Sequence, residues 1–429
     1  MFRTLANAWK IPDLRKKMLY TALLLVVFRF GSMIPVPGLN KELVSAIVEG
    51  AADTLFGLFN TLSGGAFANA TIFAMSITPY INSSIIMQLL TVAVPALERL
   101  SKEGEEGRKK IASITRYVTV LLAFIQAAGL YAALSNQGAI TQSGFLSFIT
   151  ITLTFTAGTA FLMWLGEKIT EKGIGNGISL IIFIGIISRG SELINAAISS
   201  VQANNYSIMS FVTIILYVVI AIVLIAFVIA INEGERRLPV QYAKRMQGRK
   251  MYGGQSTYIP LKVAMAGVMP IIFAMSILSF PATIANLVGA QPAANTFWGK
   301  FLGLFSQTHW VYAIIYFLLI IFFTYFYTSI QFNPIEIANN MKRNGGFILG
   351  IRPGKPTSDY IQKILTRVTL IGAFALGIIA VIPVLISVFT GTSIGVGGTS
   401  VLIVVSVALE TVKQLESQML MRHYKGFLE

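Results

Sequence analysis

The sequence predicts an all-α integral membrane protein with ten transmembrane helices, and three observations support that fold class. Hydrophobic residues make up 55% of the 429 positions and charged residues only 12%, a composition typical of membrane proteins rather than soluble domains. Ten apolar runs are long enough to cross a bilayer, for which about 17–25 residues are needed. Basic residues cluster in every second connection, as the positive-inside rule expects of a chain that crosses the membrane repeatedly.

Hydropathy gives each span approximate limits. The ten predicted spans are residues 18–36, 71–94, 113–135, 146–166, 178–198, 208–231, 263–288, 310–330, 367–389 and 396–412. The arm before span 1 is basic, like the start of a signal peptide, but no small-residue cleavage site follows, so we expect this span to be retained. The spans divide into halves of five, residues 1–198 and 199–429. Because five is odd, the second half would enter the membrane inverted relative to the first.

The distribution of basic residues orients the chain with both termini in the cytoplasm. All but four of the 33 lysines and arginines lie in the N-terminal arm, in the connections after spans 2, 4, 6 and 8, or in the C-terminal tail. The exceptions are Arg29, Lys41, Arg189 and Lys300. Arg29 falls within span 1, from which a long side chain can reach outward to water.

Two cytoplasmic loops, at about residues 232–262 and 331–366, are long, basic and rich in turn residues. Orientation alone needs only a few charges, whereas the first loop carries seven, interleaved with tyrosines. We therefore predict a projecting hairpin that docks on a negatively charged partner, either RNA phosphate or an acidic protein surface. In the second loop, Gly345-Gly346 and Pro353-Gly354 shape turns around Arg352.

A short apolar segment before span 2 is the feature around which the rest of the chain is organised. Residues 55–67 are apolar but too few to span, and Gly64-Gly65 interrupts them before a longer run begins at Thr71. Non-spanning backbone at membrane depth persists only where protein surrounds it or where it lines a watery cavity. The segment therefore predicts a central cavity with a short element inside it.

Polar residues within the spans bear on two competing functions. All 18 acidic residues fall in loops, tails or span ends, with Glu410 the deepest, whereas ion-coupled transporters place carboxylates in mid-membrane. This favours a passive channel operated by partners over a secondary transporter for a small solute, although a broken helix and an inverted repeat fit both. Asn82, Gln88 and Gln126 lie within spans, where they either bond between helices or line a polar path.

No catalytic, metal or cofactor site is expected. The chain has no cysteine, and His309 and His423 lie far apart, near a loop and in the tail, so we expect solvated or interfacial histidines rather than metal ligands. The glycines of EKGIGNGIS (171–179) lack the preceding strand and the spacing of a phosphate-binding loop. A tight turn into span 5 is predicted instead, and the chain is not expected to hydrolyse nucleotides.

Ordered motifs run along nearly the whole chain. They are FRFGSMIPVPG (28–38), NTLSGGAFANATIFAMSITPYINSSIIMQLL (60–90), KEGEEGRKKI (102–111), KGIGNGISLIIF (172–183), ERRLPVQYAKR (235–245), QSTYIPLKVAMAGVMP (255–270), FPATIA (280–285), GIRPG (350–354) and GGTSVLIVV (397–405). Together they resemble one family, SecY, which supplies the central subunit of the bacterial protein-translocation channel.

The resemblance implies two inverted five-helix halves that form a clamshell around an hourglass pore, with spans 2 and 7 facing each other as a lateral gate to lipid. It implies a plug at about residues 55–69 that closes the pore from outside. The plug residues would be Leu58, Phe59, Asn60, Leu62, Ser63, Gly64, Gly65 and Phe67. It also implies an apolar ring at the constriction, formed by Ile81, Ile85, Ile182, Ile272 and Ile403.

By the same resemblance, the chain would pass unfolded secretory polypeptides across the bacterial plasma membrane and release hydrophobic segments sideways into lipid. The SecA motor ATPase or the ribosome would drive this by docking on the basic loops. The docking residues would be Arg236, Arg237, Lys244, Arg245, Arg249, Lys250 and Arg352. The further partners would be SecE, which clamps the halves together, a peripheral SecG, the secretory precursor with its signal sequence, and membrane lipid.

Overall fold

The chain folds mainly into helices, and these helices follow the predicted spans. The computed structural model describes residues 2–50, 57, 60, 63–142, 144–190, 208–242, 245–247, 250–252, 256–287, 296–305, 309–390 and 398–425. The helices are α1 (Phe2–Lys10), α2 (Pro12–Gly31), α3 (Lys41–Gly50), α4 (Thr78–Ala93), α5 (Pro95–Lys102), α6 (Glu105–Asn136), α7 (Phe145–Lys172), α8 (Gly177–Ser188), α9 (Ile208–Glu233), α10 (Met269–Leu287), α11 (Phe297–Leu304), α12 (Trp310–Gln331), α13 (Pro334–Arg343), α14 (Lys355–Thr390) and α15 (Gly398–Lys425).

Each of the ten predicted spans coincides with one helix, in order α2, α4, α6, α7, α8, α9, α10, α12, α14 and α15. By length and apolarity, four helical stretches in the described part of the chain can cross a membrane unaided: Glu105–Asn136, Phe145–Lys172, Trp310–Arg343 and Lys355–Ile382. The pair α4 and α5, bent by 98° at their junction, makes a fifth candidate. The other helices at span positions do not pass the same test.

Span 2 is shorter than predicted. Its helix α4 begins at Thr78, with Pro79 in the first turn, where the missing N–H and fixed φ of proline suit a helix start. Hydropathy extended the span to residue 71 because residues 71–77 are apolar, but the structure has turns there. In predicted span 5, α8 ends at Ser188 and Arg189 lies in a turn, whereas residues 191–198 lie outside the described residues.

The turn segment that replaces the start of span 2 is held by backbone pairing and close packing. The Ile72 amide donates to the Ile34 carbonyl at 3.1 Å, and the Val36 amide donates to the Ala70 carbonyl at 2.8 Å. A Cβ at Gly158 of α7 would lie 2.0 Å from the Ile72 oxygen, so only glycine permits this approach. Residues 66–77 are therefore a fixed, non-helical part of the interior.

The two predicted halves meet along two seams. On one side, α10 packs against α4 and α6, and on the other, α8 packs against α15. The N-terminal helix α1 also packs against α15, and the hydroxyl of Thr4 donates to Glu416 at 3.0 Å. The space between the two seams is where spans 2, 5, 7 and 10 face one another.

The loop after span 6 forms the predicted hairpin. Strand β1 (Glu235–Tyr242) pairs antiparallel with β4 (Ser256–Lys262), and β2 (Arg245–Gln247) pairs with β3 (Lys250–Tyr252) towards its tip. A fifth strand, β5 (Gly346–Phe347), comes from the loop after span 8 and pairs with the far end of β1. The two basic loops thus share one sheet, in the order β4-β1-β5, and a small apolar core of their own.

Candidate functional site

A cavity of about 340 Å³ extends from the span ends that are predicted to be cytoplasmic towards the middle of the helix bundle. Its outer wall is polar, because Asn176, Asn232 and Gln331 lie at those ends of α8, α9 and α12, and Glu410 and Lys413 lie on α15. Deeper in the bundle, the wall becomes apolar. The deeper lining includes Ile182, Ile272, Ile403 and Val407. The lining of the cavity, which we call the funnel, therefore changes from polar to apolar along its length.

Three of the five isoleucines of the predicted ring, Ile182, Ile272 and Ile403, line this cavity, whereas Ile81 and Ile85 are not among its lining residues. Ile81 and Ile85 on α4, Ile182 on α8 and Ile403 on α15 are all buried in one apolar cluster, and Ile272 on α10 packs against it. They come from spans 2, 5, 7 and 10. Because isoleucine is stiff at χ1, such a set gives a defined apolar closure.

A helix cap, an interhelical hydrogen bond and an ion pair hold the polar rim of the funnel in place. The side chain of Asn176 caps α8 by accepting from the amides of Ile178 at 3.1 Å and Ser179 at 3.3 Å, which satisfies donors that a helix start leaves free. The amide of Asn232 donates to the Ser406 hydroxyl at 2.9 Å, which joins α9 to α15. Lys413 pairs with Glu233 at 3.0 Å between the same two helices.

Five of the predicted plug residues lie in described positions, where they form a buried turn. Asn60, Ser63, Gly64, Gly65 and Phe67 are all buried. The side-chain oxygen of Asn60 accepts a hydrogen bond from the Ala68 amide at 3.0 Å, and its main-chain carbonyl accepts one from the Gly65 amide at 2.9 Å. The Ser63 hydroxyl accepts a hydrogen bond from the Phe67 amide at 3.1 Å. The other predicted plug residues, Leu58, Phe59 and Leu62, lie outside the described residues.

The predicted docking residues divide between the two basic loops. Arg236 and Arg237 are exposed on β1, and Arg352 is exposed in the loop before α14. Hydrogen bonding from Arg237 to Glu235, at 2.6 Å, raises the pKa of the guanidinium, and the same group stacks over the Tyr258 ring at 4.8 Å. Arg245 and Lys250 lie on the paired strands β2 and β3, and Lys244 and Arg249 lie outside the described residues.

Of the polar residues within the predicted spans, Gln88 forms a bond between helices, whereas none of Asn82, Gln88 and Gln126 lines the cavity. Gln88 on α4 accepts a hydrogen bond from the Tyr327 hydroxyl on α12, so it bonds between helices of the two predicted halves. The Oε1 of Gln126 is buried without a hydrogen-bond partner. The Tyr327–Gln88 bond is an interhelical contact that sequence reasoning missed, because nothing in the local pattern around either residue indicates the other.

The histidines and acidic residues form no recognisable chemical centre in the described part of the chain. His309 caps α12 by accepting from the Val311 amide at 3.4 Å, which is a structural role. Among the described residues no group of three or more His, Asp or Glu side chains is arranged to hold a metal ion.

Comparison with known proteins identifies the family. The SecY family model matches residues 71–412. The protein translocase subunit SecY of Halalkalibacterium halodurans is 48% identical and that of Streptomyces galbus 45% identical, each alignment covering 100% of both chains. The fold resembles a solved protein-conducting channel, with a TM-score of 0.68, 20% identity and coverage of 94% of this chain and 92% of that one.

Two further solved structures share the fold. One is a SecY protein whose plug domain stabilises the closed state of the translocation channel, with a TM-score of 0.67, 20% identity and coverage of 94% and 92%. The other is canine Sec61 in a ribosome–channel complex, with a TM-score of 0.62, 18% identity and the same coverage. Full-length identity to curated SecY subunits and a family match over most of the chain agree, and the chain belongs to the SecY family of protein translocase subunits.

Proposed function

We propose that this chain is a protein-conducting channel whose pore runs through the polar funnel and the five-isoleucine ring. The observation that carries the proposal is the funnel itself, which reaches isoleucines of spans 5, 7 and 10, with Ile81 and Ile85 of span 2 in the same apolar cluster. An apolar collar excludes hydrated ions, because they cannot shed water there, yet it makes no contacts that depend on the sequence of a passing chain. This suits a pore for unfolded polypeptides of any sequence.

The seam between α10 and α4 is the proposed lateral gate. The two helices are in contact and both contribute apolar side chains to the same cluster, which includes the proposed ring residues Ile81 and Ile85 of span 2, with Ile272 of span 7 packed against it. A segment held in the pore next to this seam can choose between water and lipid. Each leucine at mid-membrane favours lipid by about 0.3–0.6 kcal/mol, so about eight leucines give roughly 2–5 kcal/mol. That is enough to sort hydrophobic segments without a nucleotide.

The shared sheet of the two basic loops is the proposed docking surface for driving partners. Exposed Arg236 and Arg237 lie on β1, and Arg352 lies on the adjoining loop, so one surface combines charges from loops far apart in sequence. The related canine channel binds a ribosome, which supports the ribosome as one partner. SecA is the proposed motor, with SecE and SecG as companion subunits, and the proposed location is the bacterial plasma membrane with both termini in the cytoplasm.

Crosslinking tests the pore. The chain has no cysteine, so a single cysteine at Ile85 or Ile272 is a clean probe for a stalled secretory chain that carries its own cysteine and was threaded by SecA and ATP. Disulfides at both positions are the expected result. Ile277→Cys is the matched control, because Ile277 lies on the same helix as Ile272 but is exposed on the outside of the bundle.

The alternative function, transport of a small solute, makes the opposite prediction. If the stalled chain forms a disulfide with neither the cysteine at position 85 nor the one at position 272, or reacts equally with Ile277→Cys, the polypeptide does not pass through the isoleucine ring. Saturable uptake of a small solute into vesicles, unaffected by removal of the basic loops, would then support the transporter.

A further inference from the structure

A polar contact ties the plug turn to the outer ends of two spans. Arg29, near the outer end of α2, donates from Nη1 to the Ser188 hydroxyl at 3.1 Å. That hydroxyl, at the last residue of α8, is 2.8 Å from the Gly185 carbonyl and 3.4 Å from the Gly64 carbonyl. The Ser188 hydroxyl therefore accepts a hydrogen bond from the Arg29 guanidinium on span 1. Its own O–H donates a bifurcated hydrogen bond to the Gly185 carbonyl on span 5 and the Gly64 carbonyl in the plug turn.

The backbones of Gly64 and Gly185 meet at the same place. Gly64 has φ +66°, and a Cβ added there would lie 2.5 Å from the Gly185 oxygen and 2.6 Å from the Gly185 Cα. The left-handed conformation and the lack of space both require glycine. The close packing of Gly64 against Gly185 and the Arg29–Ser188 hydrogen bond therefore both restrain the same part of the plug, the turn at Gly64.

The chain on the far side of this point is fixed independently. Residues 66–77 pair with residues 34–36 through the Val36 and Ile72 amides, and the Thr71 hydroxyl donates to the Ala66 carbonyl at 3.0 Å. Outward movement of the plug would therefore take place on the N-terminal side of residue 66, and it would also break the hydrogen bonds that the Ala68 and Phe67 amides donate to Asn60 and Ser63. The nearest turn with a left-handed glycine pair is Gly64-Gly65, with φ +66° and +85°.

We propose that Arg29 and Ser188 are positioning residues that hold the Gly64 turn against span 5, and that this turn is the pivot about which the preceding plug residues leave the pore. The proposal rests on the plug assignment of the proposed function. Arg29 acts through Ser188, by orienting its hydroxyl and polarising it. Loss of either residue weakens one hydrogen bond of the closed plug and should favour the displaced state about two- to tenfold.

The test uses the full chain in proteoliposomes with its companion subunits. Two readouts are measured: resting ion leak, and the rate at which a membrane-impermeant thiol reagent labels a single cysteine from outside. Ser63→Cys reports on the plug before the pivot, and Ala66→Cys reports on the fixed side. In Ser188→Ala and Arg29→Met backgrounds, leak and Ser63→Cys labelling should rise two- to tenfold, while Ala66→Cys labelling should stay unchanged. Arg29→Lys, which keeps a cationic donor, should recover part of the effect.

We call the contact of Arg29 and Ser188 with the Gly64 turn the latch. A matched control distinguishes loss of the latch from the effect of removing any serine hydroxyl. Ser329 on α12 donates to the carbonyl three residues earlier, Phe326, at 2.7 Å, as Ser188 does within α8, so Ser329→Ala should leave both readouts at the starting level. Unchanged leak and labelling in Ser188→Ala would overturn the latch, and equal increases at Ser63→Cys and Ala66→Cys would overturn the pivot.

Deletion of residues 57–63 tests the plug assignment separately. If the deletion raises the leak while Ser188→Ala does not, the plug assignment stands and the latch is wrong. If neither raises it, the plug assignment fails and the latch with it.

Discussion

The hydrogen bond from Tyr327 to Gln88 crosses between the two predicted halves, and its removal should ease opening of the channel. Tyr327 is buried on α12, and its ring also contacts Phe273 of α10, with centroids 4.8 Å apart. Tyr327→Phe keeps that ring contact and removes only the hydroxyl. The substitution therefore isolates one polar link between spans 2 and 8.

The magnitude follows from the surroundings of the two groups. A neutral hydrogen bond contributes about 0.5–1.5 kcal/mol net. Gln88 is only half-buried and its amide already donates towards Ser84 at 3.4 Å, so water can satisfy its freed oxygen and no large desolvation penalty is added. We expect a loss of about 1 kcal/mol from the closed state, which raises the open-to-closed ratio about fivefold.

Two measurements check this: resting ion flux through proteoliposomes, and the initial rate of SecA-driven translocation of a precursor with a defective signal sequence. Both should rise several-fold in Tyr327→Phe. Tyr325→Phe is the matched control, because the Tyr325 hydroxyl donates to the Thr366 carbonyl at 3.3 Å within the second half. Gln88→Met should mimic Tyr327→Phe, and the double variant should add little to either. Equal effects of the two tyrosine variants, or full additivity with Gln88→Met, would refute the reasoning.

Three other substitutions test separate parts of the molecule. Arg352→Glu reverses an exposed charge at the proposed docking surface and should lower SecA-driven export several-fold while leaving resting ion leak unchanged; normal export would remove Arg352 from that surface. Ile403→Asn puts a polar group at a buried position of the proposed ring and should raise acceptance of defective signal sequences, measured as export of such precursors. Gly158→Val forces a side chain against the Ile72 carbonyl and should destabilise the fold by about 1–3 kcal/mol, seen as a lower Tm in detergent, whereas Gly144→Ala, in open space, should not.

Sequence predicts the spans well because apolar length is a property of each segment by itself. It located helix α12 to within one residue, predicted 310–330 and observed Trp310–Gln331. It did less well where a helix continues beyond the membrane: α14 begins at Lys355 and α15 ends at Lys425, since hydropathy measures the apolar stretch and not the helix. The start of α4 was marked by Pro79, a signal that hydropathy alone does not use.

The features that sequence could not supply depend on contacts between distant residues. Strand β5 consists of Gly346 and Phe347 and pairs with Tyr242 and Gln241, so neither loop by itself indicates that the two share a sheet. The Arg29–Ser188–Gly64 contact likewise joins three segments. Gly64-Gly65 could be identified as an interruption from sequence, but its partner Gly185 lies inside an apolar run where nothing distinguishes it.

The balance of forces at the proposed lateral gate, the seam between α4 and α10, indicates how a hydrophobic segment would open the channel by itself. Both α4 and α10 contribute buried apolar side chains to one cluster, and lipid is as apolar as those side chains, so parting the two helices would cost little in hydrophobic energy. The Tyr327–Gln88 bond, worth about 1 kcal/mol, is a polar link that opening must break. A segment with about eight leucines gains roughly 2–5 kcal/mol by reaching lipid, which exceeds that cost. A hydrophilic chain gains nothing there, so its passage through the ring requires work from an outside motor.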